Sequence, residues 1–134
     1  MRIVILGSGR VGSHVAGMLV GKGHTIAIVD QKERKFKNLT DHPDICSVHG
    51  NIFDDAIFTK VFSDPVDYFV VVTGNDNVNV MAAQFIQKKY KIKEVLIRIF
   101  DPDLADVYRT LGFSVICPTN YAISELTRLL EKGS

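Results

Sequence analysis

Short apolar runs alternate along this chain with segments whose apolar residues recur every three or four positions. The run Arg2-Ile3-Val4-Ile5-Leu6 is apolar on both faces, as a central strand of a parallel sheet must be. The segment from Arg10 to Gly21 carries Val11, Val15, Met18 and Leu19 at helical spacing, and Gly23 reads as its cap. His24 to Val29 is a second buried strand. Lys32 to Leu39 predicts a short basic helix anchored by Phe36 and Leu39. Ile45 to Val48 is a third strand, followed by a helix from about Ile52 to Phe62. After the turn Asp64-Pro65, Val66 to Thr73 predicts a fourth strand and Asn77 to Lys89 a helix. Glu94 to Ile99 is a fifth strand. Pro102 then opens a helix that ends near Leu111, with Gly112 as its cap. Ser114 to Cys117 is a sixth strand, and Pro118 breaks it. The last helix, from about Asn120 to Glu131, carries a stripe of Ala122, Ile123, Leu126, Leu129 and Leu130. The stripe suits packing on the chain's own sheet and crossing to a partner equally well.

Strict strand–helix alternation with short connections and right-handed crossovers predicts an α/β fold. The expected architecture is a doubly wound, Rossmann-type parallel sheet of six strands in the order 3-2-1-4-5-6. In such a sheet a ligand lies beyond the carboxyl ends of the strands, where the order switches between strands 1 and 4. The turn after strand 1 reads Gly7-Ser8-Gly9-Arg10-Val11-Gly12. In this spacing Gly7 permits the tight turn, Gly9 lets a pyrophosphate approach the backbone, and Gly12 allows close helix–sheet packing. The helix N-terminus presents free N–H groups to an anion. Asp30 falls at the end of strand 2, about 20 residues on, where an acid accepts hydrogen bonds from ribose hydroxyls. A lone glycine motif is weak. Here the strand, the helix and the terminal acid that the motif requires are all present.

The other strand ends complete the candidate site. Gln31 follows Asp30. Asn51 and Ile52 stand where an adenine edge and face could be met. Thr73, Gly74 and Asn75 lie near the second half of a dinucleotide, and Arg10 and Arg98 are the cations able to meet phosphate. A structural ion pair of Arg98 with Asp101 or Asp103 is the competing reading, and Asn75 and Asp76 serve equally well as helix N-caps. The basic run Lys32 to Lys37 invites a 2′-phosphate clamp, but Asp30 would repel that phosphate, so a solvated face is expected.

Composition narrows the function classes. The chain has 134 residues, 46% of them hydrophobic, which suits one domain with a sizeable core. A net charge of +1 gives no general attraction to nucleic acid or anionic lipid. No apolar run approaches a membrane span, and the chain enters a strand directly without a leader, so a soluble intracellular domain is expected. Cys46 and Cys117 fall on opposite edge strands, too far apart to bridge, and read as small buried hydrophobes. The four histidines form no metal-ligand pair with the cysteines, and His14 reads as a solvent-facing helix residue. An enzyme is not expected. The residues four after Tyr68, Tyr90, Tyr108 and Tyr121 are Val72, Glu94, Gly112 and Glu125, so no Tyr-x-x-x-Lys pair occurs, and little chain remains for a substrate domain. A small NAD-dependent oxidoreductase, a methyltransferase and a non-binding oligomerisation module are the alternatives.

The pattern resembles the TrkA-N family, also called the N-terminal domain of the regulators of potassium conductance (RCK). The resemblance runs along nearly the whole chain. It rests on Gly7 to Gly12 with Arg10 inside the motif, on Asp30, and on His49-Gly50-Asn51. Further along, it rests on Val72-Thr73-Gly74-Asn75-Asp76 with Asn79, on Ile97-Arg98-Ile99, on Leu111-Gly112-Phe113, and on Val115-Ile116-Cys117-Pro118. Asn51 departs from the family's usual Asp. The resemblance implies a cytoplasmic regulatory subunit, peripheral to the inner face of the membrane and binding NAD(H) or ATP/ADP. It also implies a homodimer or larger ring acting on an integral-membrane potassium transporter or channel, gated by ligand exchange. Under this reading residues 1–134 form one N-terminal nucleotide-binding domain, without the C-terminal domain found in many members.

Overall fold

A computed structural model describes residues 1–133. Six strands form one parallel sheet: β1 (Arg2–Leu6), β2 (Thr25–Asp30), β3 (Ile45–His49), β4 (Tyr68–Val71), β5 (Glu94–Arg98) and β6 (Ser114–Ile116). Their order is β3-β2-β1-β4-β5-β6, as the alternation predicts. The helices are α1 (Arg10–Leu19), α2 (Asp55–Val61), α3 (Asp76–Lys89), α4 (Pro102–Thr110) and α5 (Pro118–Lys132). The basic segment after β2 is a 3-10 helix, Glu33–Asn38, none of whose residues is buried.

Each central strand feeds two cores because its side chains alternate faces. Val4 and Leu6 of β1 join Val29, Phe69, Val71 and Ile97 in the larger core, closed by α2, α3 and α4. Ile3 and Ile5 join Ile26 and Ile28 in the smaller core, where Ala16 of α1 and the half-buried Phe36 and Leu39 pack. The inward face of α1 is Gly12, Ser13 and Ala16. This corrects half of the expected core stripe: Val15 and Leu19 pack against the smaller core, but Val11 and Met18 are exposed, because close packing of the helix on β1 is made by its smallest residues.

Two further expectations shift. The helix after β3 starts at Asp55 instead of Ile52, since Asp54 caps it by accepting from the Ala56 N–H at 3.0 Å. Cys117 is buried, but Cys46, on the edge strand β3, is exposed although its register partner Ala27 faces the larger core. The two cysteines do lie at opposite edges of the sheet.

On the α1 side, β4 to β6 are thinly covered. Val70 and Leu96, aligned on one face, are only half-buried, and Ile116, aligned with Arg98, is exposed. α5 does not cover them. None of its residues is buried, and Ile123, Leu126, Leu129 and Leu130 all face solvent. Among the described residues no helix is long and apolar enough to cross a membrane.

Candidate nucleotide-binding cleft

The glycine turn is built by collisions that only glycine avoids. Gly7 has φ +111°, and a Cβ there would sit 2.8 Å from the Val72 carbonyl oxygen. A Cβ on Gly12 would lie 1.9 Å from the Gly7 carbonyl oxygen. Gly9 differs in kind. A Cβ on it would meet nothing within 4 Å, and its φ of −74° suits any residue. The space before Gly9 is open, and α1 begins at the next residue.

That space belongs to a cleft of about 700 Å³ along the carboxyl ends of β1, β2 and β4, within the size range of small-molecule sites. Of the residues singled out in the sequence, Gly7, Gly9, Arg10, Val11, Asp30, Gln31, Ile52, Thr73, Gly74, Asn75 and Arg98 line it. Ser8, Gly12 and Asn51 do not. The Ser8 hydroxyl is turned into the body, 3.1 Å from the Ser13 hydroxyl and donating to the Lys35 carbonyl at 3.2 Å. Gly12 packs beneath the turn. The Asn51 carboxamide accepts the Phe53 N–H at 2.9 Å and so shapes the loop that presents Ile52 and Phe53. Phe53, Val78, Lys32 and Lys35 also line the cleft. Nothing in their spacing marks them, although the two lysines belong to the basic run already considered.

Asp30 carries two loads. One carboxylate oxygen accepts the Ser8 N–H at 2.9 Å and the other the Lys32 N–H at 2.8 Å. It therefore ties the glycine turn to the end of β2. Each carboxylate oxygen has a second lone pair with which to accept from a ligand hydroxyl. Four cationic residues and one acidic residue line the cleft, on a chain whose net charge is only +1, so positive charge is concentrated around it.

The opposite wall is the end of β4. Arg98 Nη2 donates to the carbonyls of Val72 at 2.9 Å and Thr73 at 3.1 Å, and its guanidinium lies 4.8 Å from the Phe100 ring centre. Burial lowers the Arg98 pKa from its ordinary value, and the nearby Asp76 charge opposes that shift. No salt bridge joins Arg98 to Asp101 or Asp103 among the described residues. Asp76 instead accepts the N–H groups of Phe100 and Asp101, and Asn75 caps α3 through the Val78 N–H at 3.1 Å. His14 is exposed, as expected, with Nδ1 2.5 Å from the Arg10 carbonyl.

Strand order, glycine turn and switch-point cleft together define a Rossmann-type domain with the architecture used for nucleotides. More narrowly, the chain belongs to the TrkA-N domain family, whose model matches residues 3–118. A Trk system potassium uptake protein TrkA from Streptomyces coelicolor is 33% identical over 135 residues, covering 100% of this chain and 60% of the relative. The chain thus spans about three fifths of that relative's length. Among solved structures, GsuK bound to ADP aligns with a TM-score of 0.82 at 21% identity, over 99% of this chain and 34% of the other. The GsuK channel bound to NAD aligns with a TM-score of 0.80 at 21% identity, over 97% and 23% respectively. At these identities the likeness to both structures is one of fold.

Proposed function

We propose that this chain is a nucleotide-sensing regulatory domain of a potassium-uptake system and not an enzyme. The observation that carries this reading is the cleft itself. An open approach to Gly9, the start of α1 and the carboxylate of Asp30 converge in one electropositive space. Gly7, Ser8, Gly9, Arg10, Val11 and Gly12 form the phosphate-binding turn, with Ser8 and Gly12 acting from behind it. Asp30 and Gln31 meet the ribose, and Ile52 the base, in a loop shaped by Asn51. Thr73, Gly74, Asn75 and Arg98 form the far wall. The ligand is NAD(H) or ATP/ADP. The ADP and NAD named for the two GsuK structures support either choice.

The transport role is supported by the family and by the potassium-uptake relative. In this reading the domain works in the cytoplasm, at the inner face of the membrane, on an integral-membrane potassium transporter or channel. It self-associates as a dimer or ring, and ligand exchange alters that assembly. The exposed apolar stripe of α5 and the thinly covered face of β4–β6 are suited to self-association.

Thermal unfolding with NAD⁺, NADH, NADP⁺, ATP, ADP and S-adenosylmethionine tests the reading. A ligand at 100 times its Kd stabilises by about 2.7 kcal/mol, a shift of several degrees. A shift with NAD(H) or ATP/ADP is expected. No shift with any nucleotide would favour an oligomerisation module, and a shift with S-adenosylmethionine alone a methyltransferase.

Gly9→Ala separates ligand space from fold space. Its Cβ meets no protein atom, so stability should change by no more than about 0.5 kcal/mol. Nucleotide affinity should fall about tenfold, because the methyl occupies the approach to the turn. Calorimetric titration beside urea unfolding measures both, and unchanged affinity would remove Gly9 from ligand contact.

A further inference from the structure

Asn79 lies in the first turn of α3 and is completely buried, yet it does not touch the cleft. Its carboxamide is fully engaged. Nδ2 donates to the carbonyls of Thr73 at 3.1 Å and Arg98 at 2.8 Å. Oδ1 accepts the Thr73 N–H at 3.1 Å and also the Thr73 hydroxyl. One side chain therefore fixes the end of β4 and ties it to the end of β5. Arg98 grips the same segment from its own side through Val72 and Thr73. An amide is the one side-chain group of this size with two donors and an acceptor able to take two hydrogen bonds. A carboxylate would lose both donors and face two carbonyl oxygens.

We propose that Asn79 is a positioning residue for the far half of the cleft. Its amide holds the Thr73–Asn75 wall at the place where the second half of a dinucleotide lies. The proposal rests on the nucleotide-binding reading above. No side-chain hydrogen bond of Asn79 reaches the near half, made by the glycine turn, Asp30 and Ile52; all of them go to Thr73 and Arg98. Asn79 therefore governs selectivity between ligands that end at the first phosphate and ligands that span the switch point.

AMP and NAD⁺ are the probes, titrated calorimetrically into the wild-type chain and Asn79→Ala. The expected result is that wild type binds NAD⁺ more tightly than AMP. Asn79→Ala should then lose about tenfold in NAD⁺ affinity and keep its AMP affinity within about twofold. A merely structural residue would weaken both ligands by the same factor, so parallel losses overturn the proposal, as do unchanged affinities for both. Equal wild-type affinities overturn it too, since the far wall would then contribute nothing. Binding of neither probe to wild type overturns the proposal through its dinucleotide premise, whereas the nucleotide reading itself fails only if ATP and ADP do not bind either, a different failure. Should Asn79→Ala fail to fold, Asn79→Ser keeps one hydroxyl donor in the same space, and the ratio of the two affinities is read again.

Discussion

Gly12→Ala is expected to destabilise the fold by about 3 kcal/mol, the upper end of typical overpacking costs, and to remove nucleotide binding with it. The new Cβ would stand 1.9 Å from the Gly7 carbonyl oxygen, and the Gly7 carbonyl carbon and Ile5 Cγ2 are next, at 3.1 and 3.4 Å. The obstacle is backbone, so no side-chain rotation relieves it. Gly7 cannot yield either. It is held at φ +111° with the Val72 carbonyl behind it, and its N–H donates to the Val29 carbonyl at 2.8 Å. The remaining response is for α1 to lift from β1, which opens the core around Ala16 and carries the free N–H groups of α1 out of the cleft. Urea unfolding should show a lower midpoint with little change in slope, and titration should show no heat with NAD⁺ or ADP. A variant as stable as wild type would mean that α1 does not sit as tightly on β1 as the structure has it. Paired with Gly9→Ala, this divides the motif: one glycine makes room for protein, and under the proposed function the other makes room for ligand.

Most of the fold was legible because burial is periodic. A strand buried on both faces leaves an unbroken apolar run, as Ile26 to Val29 does, and the run Tyr68 to Val72 reads the same way although one of its faces is only half-buried. The topology followed from alternation and handedness. The errors fell where two residue types satisfy one pattern. Val11 and Met18 have helical spacing but point outward, since small residues let a helix approach a strand more closely than large ones do. Ile52 reads as a helix start, yet Asp54 caps the helix, and the residues before it form the loop that presents Ile52 and Phe53. The 3-10 helix reads as an ordinary helix because anchors at Phe36 and Leu39 fit both periods.

The candidate site was legible at its glycines and its acid, whose identities are dictated by backbone geometry. It was illegible where contact depends on which way a side chain leaves a loop. Ser8 sits inside the motif but turns away, because the Ser13 hydroxyl and the Lys35 carbonyl claim its hydroxyl. Lys32 and Lys35 face the cleft from a segment that looked merely solvated. Sequence spacing allows Arg98 either phosphate contact or an ion pair with Asp101 or Asp103. In the structure it grips two backbone carbonyls, an arrangement that sequence spacing cannot show because its partners lie 26 and 25 positions away.

Asp30→Ala is the second large effect. Its nucleotide affinity should fall by roughly 1–3 kcal/mol, through loss of charge-assisted hydrogen bonds to ribose hydroxyls. The unliganded chain should also lose about 1–2 kcal/mol of stability, because the Ser8 and Lys32 N–H groups lose their acceptor together. The two losses share a cause, so a second variant has to part them. Asp30→Asn keeps one oxygen for the Ser8 N–H and so retains the tie between the glycine turn and β2. It turns an NH₂ toward the Lys32 N–H and cannot accept from two ribose hydroxyls as a carboxylate does. Stability should therefore recover most of the way in Asp30→Asn while affinity stays low. If affinity recovers in step with stability, Asp30 acts on the ligand only through the shape of the turn. If Asp30→Ala binds NAD⁺ and ADP as wild type does, the ribose contact is absent and the ligand is held by the turn and its surrounding cations alone. The concentration of positive charge in the cleft makes that outcome depend on salt. Repeating the titration at two ionic strengths would then show how much of the affinity is charge and how much is the carboxylate.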